Sequence, residues 1–224
     1  MTPTSPTLHG RAEIHAALGD PVRLAIVDQL SVSDRSPIEL RHALDLESNL
    51  LAHHLDVLEA VGLIERSRSS GDGRRRYVHL RHAAHEDLGP VRPVELGPAL
   101  FVCSANSARS QLAAALWTSI TGEPALSAGT HPADCVHPKA LAAARRAGLD
   151  LDGASPTALA ELADRPGLMV TVCDRAHEEL EPDGRRLHWS VPDPVPDGSI
   201  EAFDAAVEEL RDRIDALVGL AAAL

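Results

Sequence analysis

Aromatic side chains are nearly missing from this chain: two Trp, one Tyr and two Phe among 224 residues. Any core must therefore be built from Leu, Ala and Val. Long apolar runs are missing too. None approaches the ~20 residues that span a bilayer, so no membrane segment is expected. The first ten residues carry no basic start followed by an apolar stretch, so no secretory signal is expected. Three cysteines, Cys103, Cys135 and Cys173, are no disulfide framework in a chain of this length. A cytoplasmic protein is expected, and each thiol is either reactive or buried. Lysine is represented once, by Lys139, against twenty arginines, which reads as the trace of a GC-rich genome.

What the chain has is enough apolar residue, 44%, to build cores, with 24% charged residues and a net charge of −12. That balance excludes a protein that binds nucleic acid over its whole surface. The charge is uneven: residues 1–90 hold 10 basic and 13 acidic side chains, residues 91–224 hold 11 and 20. Eight of the twelve histidines fall in the first 90 residues. Two compositions point to two domains. The segment EDLGPVRPVELGP, with three prolines and two glycines, interrupts any periodic element and sets a linker over 86–97. Residues 1–10 read as a flexible leader. The domains are then 11–85 and 98–224.

The first domain reads as short helices followed by a hairpin. Asp20-Pro21 is an N-cap and first-turn pair, with Leu24, Ile26, Val27 and Leu30 as the buried face. Ser36-Pro37-Ile38-Glu39 is a capping box opening a helix to about Leu44. A third helix runs from Glu47–Ser48 to about Val61, with Leu51, Leu55 and Leu58 on one side and Gly62 as its stop. Two β-like runs, Leu63–Arg68 and Arg74–Leu80, flank Ser69-Ser70-Gly71-Asp72-Gly73, a hairpin signal.

Two helices joined tightly and then a hairpin give the outline of a winged helix-turn-helix, whose second helix would enter the major groove. The hairpin holds the one basic cluster of the chain: Arg66, Arg68, Arg74, Arg75 and Arg76, with Arg81 beyond. Each arginine there either neutralises a DNA phosphate or belongs to a solvated hairpin. The helix pattern in front of it favours DNA.

The stretch LGDPVRLAIVDQL … LRHALDLESNLLAHHLDVLEAVGLIERSRSSGDGRRRYVHL resembles the ArsR-type winged-helix repressors. The resemblance implies a homodimer on a double-stranded DNA operator, released by an inducer. It makes Ser48, Asn49, His53 and His54 the candidate base readers. One departure bears on the inducer. The metal-sensing members carry Cys-x-Cys near the helix before the recognition helix, and Arg35–Leu44 has no cysteine. A soft arsenite ion wants thiolates, so the usual sensing site is not expected. The resemblance sets His82 and His85, spaced i, i+3, near a second metal site of the family; against that stands a solvated pair, which is the reading taken, and no metal is assigned.

Residues 98–224 alternate β and α signals. Strands are expected at Ala99–Val102, Ala125–Ala128 and Leu168–Val172, and helices at Ser110–Thr121, His137–Ala147, Ser155–Ala163 and Ile200–Leu220. The fold class is thus mainly-α winged helix-turn-helix plus an α/β doubly wound parallel sheet, with ligands at the carboxyl ends of the strands. The first strand runs into Cys103-Ser104-Ala105-Asn106-Ser107-Ala108-Arg109-Ser110. Five residues between Cys103 and Arg109 let the backbone curl into an anion-binding nest. The helix that follows adds its positive end, and Arg109 a planar fork for two oxygens of a tetrahedral anion. The same field favours an anionic, nucleophilic Cys103 sulfur. The bare Cys-x5-Arg spacing is weak in an arginine-rich chain; the strand before it and the helix after it give it weight. Further on, Asp193 sits in a rigid Pro192-Asp193-Pro194 segment and is placed to protonate a leaving oxygen, or is simply part of a loop.

The segments VCSANSARSQLAAALW, SAGTHPAD-x-VHP, VTVCDRAHEEL and LHWSVPDPVPDG resemble the low-molecular-weight protein tyrosine phosphatases, in particular their arsenate reductase branch. The resemblance implies that Cys103 is the nucleophile, Arg109 binds the oxyanion (arsenate or phosphate), Asn106 shapes the loop, Ser110 hydrogen-bonds the thiolate and Asp193 is the general acid. Ala105 stands where many members have glycine, so a tighter loop is expected there. Cys173 matches the first resolving cysteine of thioredoxin-linked reductases; the alternative is a buried strand-end thiol. The further cysteine of those enzymes has no counterpart in His177-Glu178-Glu179-Leu180. Either a Cys103–Cys173 disulfide is reduced directly, or a small thiol attacks arsenylated Cys103. No tightly bound cofactor is expected, but an external thiol donor of thioredoxin or low-molecular-weight type is. The expected function is a DNA-binding regulator fused to a thiol-dependent arsenate reductase; the alternatives are a regulator whose second domain only senses an oxyanion, and a tyrosine phosphatase.

Overall fold

The computed structural model describes residues 8–81, 96–181 and 186–222. The chain divides into two compact units, one of residues 1–68 and 74–92, the other of residues 69–73 and 93–224. The step from 92 to 93 falls within the stretch expected as a linker. Most of that stretch, residues 1–7 of the expected leader, and His82 and His85 lie outside the described residues.

The first unit holds α1 (Leu8–Leu18), α2 (Pro21–Leu30), α3 (Pro37–Leu44) and α4 (Ser48–Ala60), then β1 (Ile64–Arg68) and β2 (Arg76–Leu80). Asp20 Oδ1 accepts the N–H groups of Val22 and Arg23 at 2.8 and 3.1 Å, and Ser36 and Glu39 close a capping box. These two caps fix where α2 and α3 begin. The hairpin is antiparallel, with Ile64 opposite Leu80. Ile26, Val27 and Leu30 from α2 pack with Leu55 and Leu58 from α4 and Val78 from β2. Two expectations are corrected. Leu24 lies off the α2 stripe and is 46% exposed. Helix α1 starts at Leu8, inside the stretch set aside as a leader, and it buries Ile14 and Ala17.

The second unit is a four-stranded parallel sheet in the order β4-β3-β5-β6, with flanking helices. Its elements are β3 (Ala99–Cys103), α5 (Arg109–Thr121), β4 (Ala125–Gly129), α6 (Pro138–Arg146), β5 (Leu168–Thr171), α7 (Asp174–Glu179), β6 (Leu187–His188), α8 (Pro194–Asp197) and α9 (Ile200–Ala222). Central β3 is buried throughout, which matches its unbroken apolar sequence. Three of the five Phe, Tyr and Trp rings meet at this strand: the Phe101 ring lies 5.9 Å from Trp117 and 6.0 Å from Trp189. Parallel strands bring their carboxyl ends to one edge, so Cys103, Gly129 and Cys173 share it. The expected helix over Ser155–Ala163 shrinks to one 3-10 turn, Leu159–Glu161. Tertiary bonds explain this: Thr157 donates its N–H to Asn106 Oδ1 at 2.8 Å and accepts from Gly129 N–H at 2.9 Å, which draws the segment out of helical form. The short elements α7, β6 and α8 had no clear periodic signal.

Candidate active site

Strand β3 ends at Cys103 and α5 begins at Arg109, so residues 103–108 turn sharply between two rigid elements. Cys103 is 3% exposed. Its Sγ lies 3.0 Å from Ser110 Oγ and accepts the N–H of Asn106 at 3.1 Å. Asn106 organises the turn. Its backbone is left-handed, φ 50°, a region asparagine tolerates better than most residues. Thr157 N–H can only donate, which identifies the Asn106 atom facing it as Oδ1. Nδ2 therefore points to Ser110 Oγ at 2.8 Å. Since Ser110 Oγ accepts that bond, its own proton is available to the Cys103 sulfur. The tightness expected at Ala105 falls one residue later, because Asn106, not Ala105, takes the positive φ.

A second loop braces this turn from behind. The N–H groups of Thr130, His131, Ala133 and His137 donate to the carbonyls of Cys103, Ser104, Ala105 and Ser107 at 2.8 to 3.2 Å. With those carbonyls engaged on one side, N–H groups face the other; those of Ser104 and Asn106 reach the two sulfurs there. Gly129 makes the close approach feasible. A Cβ on it would sit 2.7 Å from Ser104 O and 3.1 Å from Asn106 N.

Arg109 is 7% exposed and both ends of its fork are engaged. Nη1 donates to Val191 O at 2.9 Å, and Nη2 pairs with Asp193 Oδ2 at 2.9 Å. Asp193 also caps α8 by accepting the N–H of Val195 at 3.2 Å. Arg109 thus fixes the 191–193 segment over the loop. Arg175, Val195 and Pro196 stand at the mouth, and no aromatic side chain lines it among the described residues.

Cys173 lies just beyond β5 and caps α7, its Sγ accepting the N–H of Ala176 at 3.4 Å. The same sulfur accepts Ser104 N–H at 3.2 Å, so the two thiols share one loop. Cys173 is 1% exposed. Burial pushes its thiol up to about 11; the Arg109 charge works against that rise and Cys103 adds to it. Cys135 is exposed, on the bracing loop.

In the first unit, Ser48, Asn49 and His53 lie exposed on α4, and Arg68, Arg74, Arg75 and Arg76 are exposed on the hairpin. Two candidates are corrected. His54 is 6% exposed and turns inward, with Nδ1 3.9 Å from Asp20 Oδ1, so it is not placed to read a base. Arg66 Nη2 is 2.6 Å from Asp56 and 3.3 Å from Glu59, so it neutralises α4 carboxylates instead of facing a phosphate. Sequence reasoning passed over Gly129, Gln111 and Thr157. Gln111 Nε2 donates to Asn106 Oδ1 at 3.2 Å, and with Thr157 it fixes the loop from outside. A glycine at the carboxyl end of an apolar strand was the one signal for any of them.

Residues 99–224 match the family of low molecular weight phosphotyrosine protein phosphatases. An arsenate reductase of Bacillus cereus is 32% identical over 120 residues, covering 51% of this chain and 88% of that protein. The HTH-type transcriptional repressor SmtB of Mycobacterium tuberculosis matches the N-terminal region at 37% identity over 89 residues, 40% of this chain and 65% of the repressor. Among solved structures, an arsenate reductase from Archaeoglobus fulgidus aligns with 29% identity and a TM-score of 0.47, covering 54% of this chain and 98% of that one.

Proposed function

The chain belongs to the low molecular weight phosphotyrosine protein phosphatase family, and from that premise we propose that it reduces arsenate to arsenite with thiol electrons and binds operator DNA as a dimeric regulator. The observation that carries the reductase reading is the Ser104 N–H donated to Cys173 Sγ at 3.2 Å, which holds a second thiol on the nucleophile's own loop. A phosphatase has no use for that thiol. Among the described residues the mouth offers Val195 and Pro196 and no ring against which a phenol could stack, which favours a small inorganic oxyanion.

The chemistry runs in balanced steps. The Cys103 thiolate attacks arsenic, and one arsenate oxygen leaves as water with a proton from Asp193. The N–H groups of the loop and the Arg109 guanidinium hold the remaining oxygens. Cys173, as thiolate, then attacks Cys103 Sγ. The sulfur–arsenic bond breaks with its electron pair going to arsenic, arsenite departs, and a Cys103–Cys173 disulfide remains. Two electrons have passed from two thiols to arsenic. A dithiol of the thioredoxin class, or two small thiols, returns them. The DNA reading rests on the likeness to a repressor and on the exposed hairpin arginines. The test is arsenite release and phosphate-ester hydrolysis measured side by side with several thiol donors. Arsenite release that exceeds ester hydrolysis, and vanishes in Cys103→Ser, is expected; ester hydrolysis without arsenite release would make the protein a phosphatase.

A further inference from the structure

Glu179 is the last residue of α7, the helix that Cys173 caps. Its two oxygens have partners on different elements. Oε1 accepts from Arg175 Nε, on the same helix, at 2.8 Å. Oε2 accepts from Thr130 Oγ1 at 2.7 Å and lies 3.2 Å from His131 Nε2. Thr130 and His131 are the residues whose N–H groups bond to the carbonyls of Cys103 and Ser104. One carboxylate therefore ties the loop that braces the nucleophile to the helix that starts at the second thiol. Burial works against its charge, but the Thr130 hydroxyl, the Arg175 guanidinium and the His131 ring hold the carboxyl below the usual range. An exposed i, i+4 pair with Arg175 alone would hold little. The contacts to Thr130 and His131 make Glu179 a brace between two elements.

We propose that Glu179 is a positioning residue for the thiol-to-thiol step: it holds α7, and with it Cys173 Sγ, against the loop of Cys103, without touching substrate. The proposal rests on the reductase reading for its biological use, but the step itself is a property of the two thiols. Attack of one sulfur on another is sensitive to alignment, and a shift of about 1 Å costs on the order of 10²-fold. Ester hydrolysis needs Cys103, Arg109 and Asp193 and makes no use of where Cys173 lies.

The experiment compares wild type, Glu179→Ala and Glu179→Gln in the full-length reduced protein. Formation of the Cys103–Cys173 disulfide is timed by mass spectrometry in two arms. One uses arsenate. The other uses an azodicarboxamide oxidant, which takes the two electrons and two protons without any arsenic chemistry. Hydrolysis of p-nitrophenyl phosphate is measured on the same samples. Glu179→Ala should slow disulfide formation by about 10- to 100-fold in both arms, with ester hydrolysis little changed. Glu179→Gln keeps one oxygen to accept from Arg175, and its amide N–H can donate to the Thr130 hydroxyl, which reverses its role, so it should recover most of the rate. An unchanged disulfide rate in Glu179→Ala overturns the proposal, as does an equal loss of ester hydrolysis, which would mean general collapse of the site. So does a wild type that forms no such disulfide in either arm. A wild type that responds to the azo oxidant but not to arsenate defeats the reductase reading, while the azo arm still decides the role of Glu179.

Discussion

Arg109 Nη2 sits 2.9 Å from Asp193 Oδ2, so the cation expected to hold the anion is bound to the carboxylate proposed to protonate its leaving oxygen. The two roles are coupled: an entering oxyanion competes with Asp193 for the same fork. Asp193→Asn should therefore lower kcat for both arsenate and a phosphate ester by about 10²–10⁴-fold, the range of a lost general acid. Inhibition by inorganic phosphate should hold or strengthen, because Arg109 has lost its charged competitor. Phosphate inhibition that weakens in step with kcat would reduce Asp193 to a structural anchor for the 191–193 segment.

Cys173 gives a prediction in two pH windows. Cys173→Ala should lose arsenate reduction and keep ester hydrolysis, because hydrolysis needs no second thiol. In wild type, burial holds the proton on Cys173 up to about 11, whereas a free cysteine loses it near ~8.5. Between those values the folded chain binds the proton and the unfolded chain does not, so stability falls as pH rises. The alkaline decline of Tm should be shallower in Cys173→Ala over that window. Well below about 11 the disulfide-forming step should speed up by about tenfold for each unit that the pH rises, following the thiolate fraction. A flat profile from pH 6 to 8 would remove Cys173 deprotonation from the step.

Gly129 is the point where the bracing loop meets the nucleophile's loop. An added Cβ meets backbone on both sides, Ser104 O at 2.7 Å and Asn106 N at 3.1 Å, and backbone cannot swing aside as a flexible side chain would. Overpacking of this kind costs about 1–3 kcal/mol. Gly129→Ala should lower Tm modestly and lower ester hydrolysis far more, since the displaced atoms belong to the turn that holds the Cys103 sulfur. Wild-type kcat in a folded Gly129→Ala protein would show that the turn tolerates the shift.

How much of this was legible follows from where each signal resides. The caps at Asp20 and Ser36 and the apolar run Ala99–Val102 are local, so the sequence displays them, and the structure has them in place. The position of His54 was also legible: Leu51, His54, Leu55 and Leu58 follow the i, i+3, i+4, i+7 spacing, which puts residue 54 on the buried face of α4. Polarity drew it into the reader set against that spacing. By contrast, Arg66 finds Asp56 and Glu59 only when β1 returns along α4. The drawing-out of Ser155–Ala163 and the partners of Glu179 likewise depend on long-range contacts that no window of sequence contains.

The hairpin offers the sharpest test of the DNA reading, because the structure separates arginines that look equivalent in sequence. Arg68 and Arg76 are exposed at the hairpin, while Arg66 is held by two carboxylates. Neutralising an arginine that meets a phosphate removes one released counterion. Arg68→Ala or Arg76→Ala should thus weaken binding to any duplex and lower the salt slope by about one unit. Arg66→Ala should leave the slope nearly unchanged and instead lower Tm, since it frees two like charges on α4. Asn49→Ala and His53→Ala should alter preference among sequences from the region upstream of the coding sequence, by about 1–3 kcal/mol for a lost base contact. The net charge of −12 opposes association with DNA, so binding should require two recognition helices and hence a dimer. Binding isotherms at four salt concentrations, with sedimentation of the unbound protein, check all of these. A monomer whose affinity is indifferent to salt would leave the first unit without a DNA-binding role.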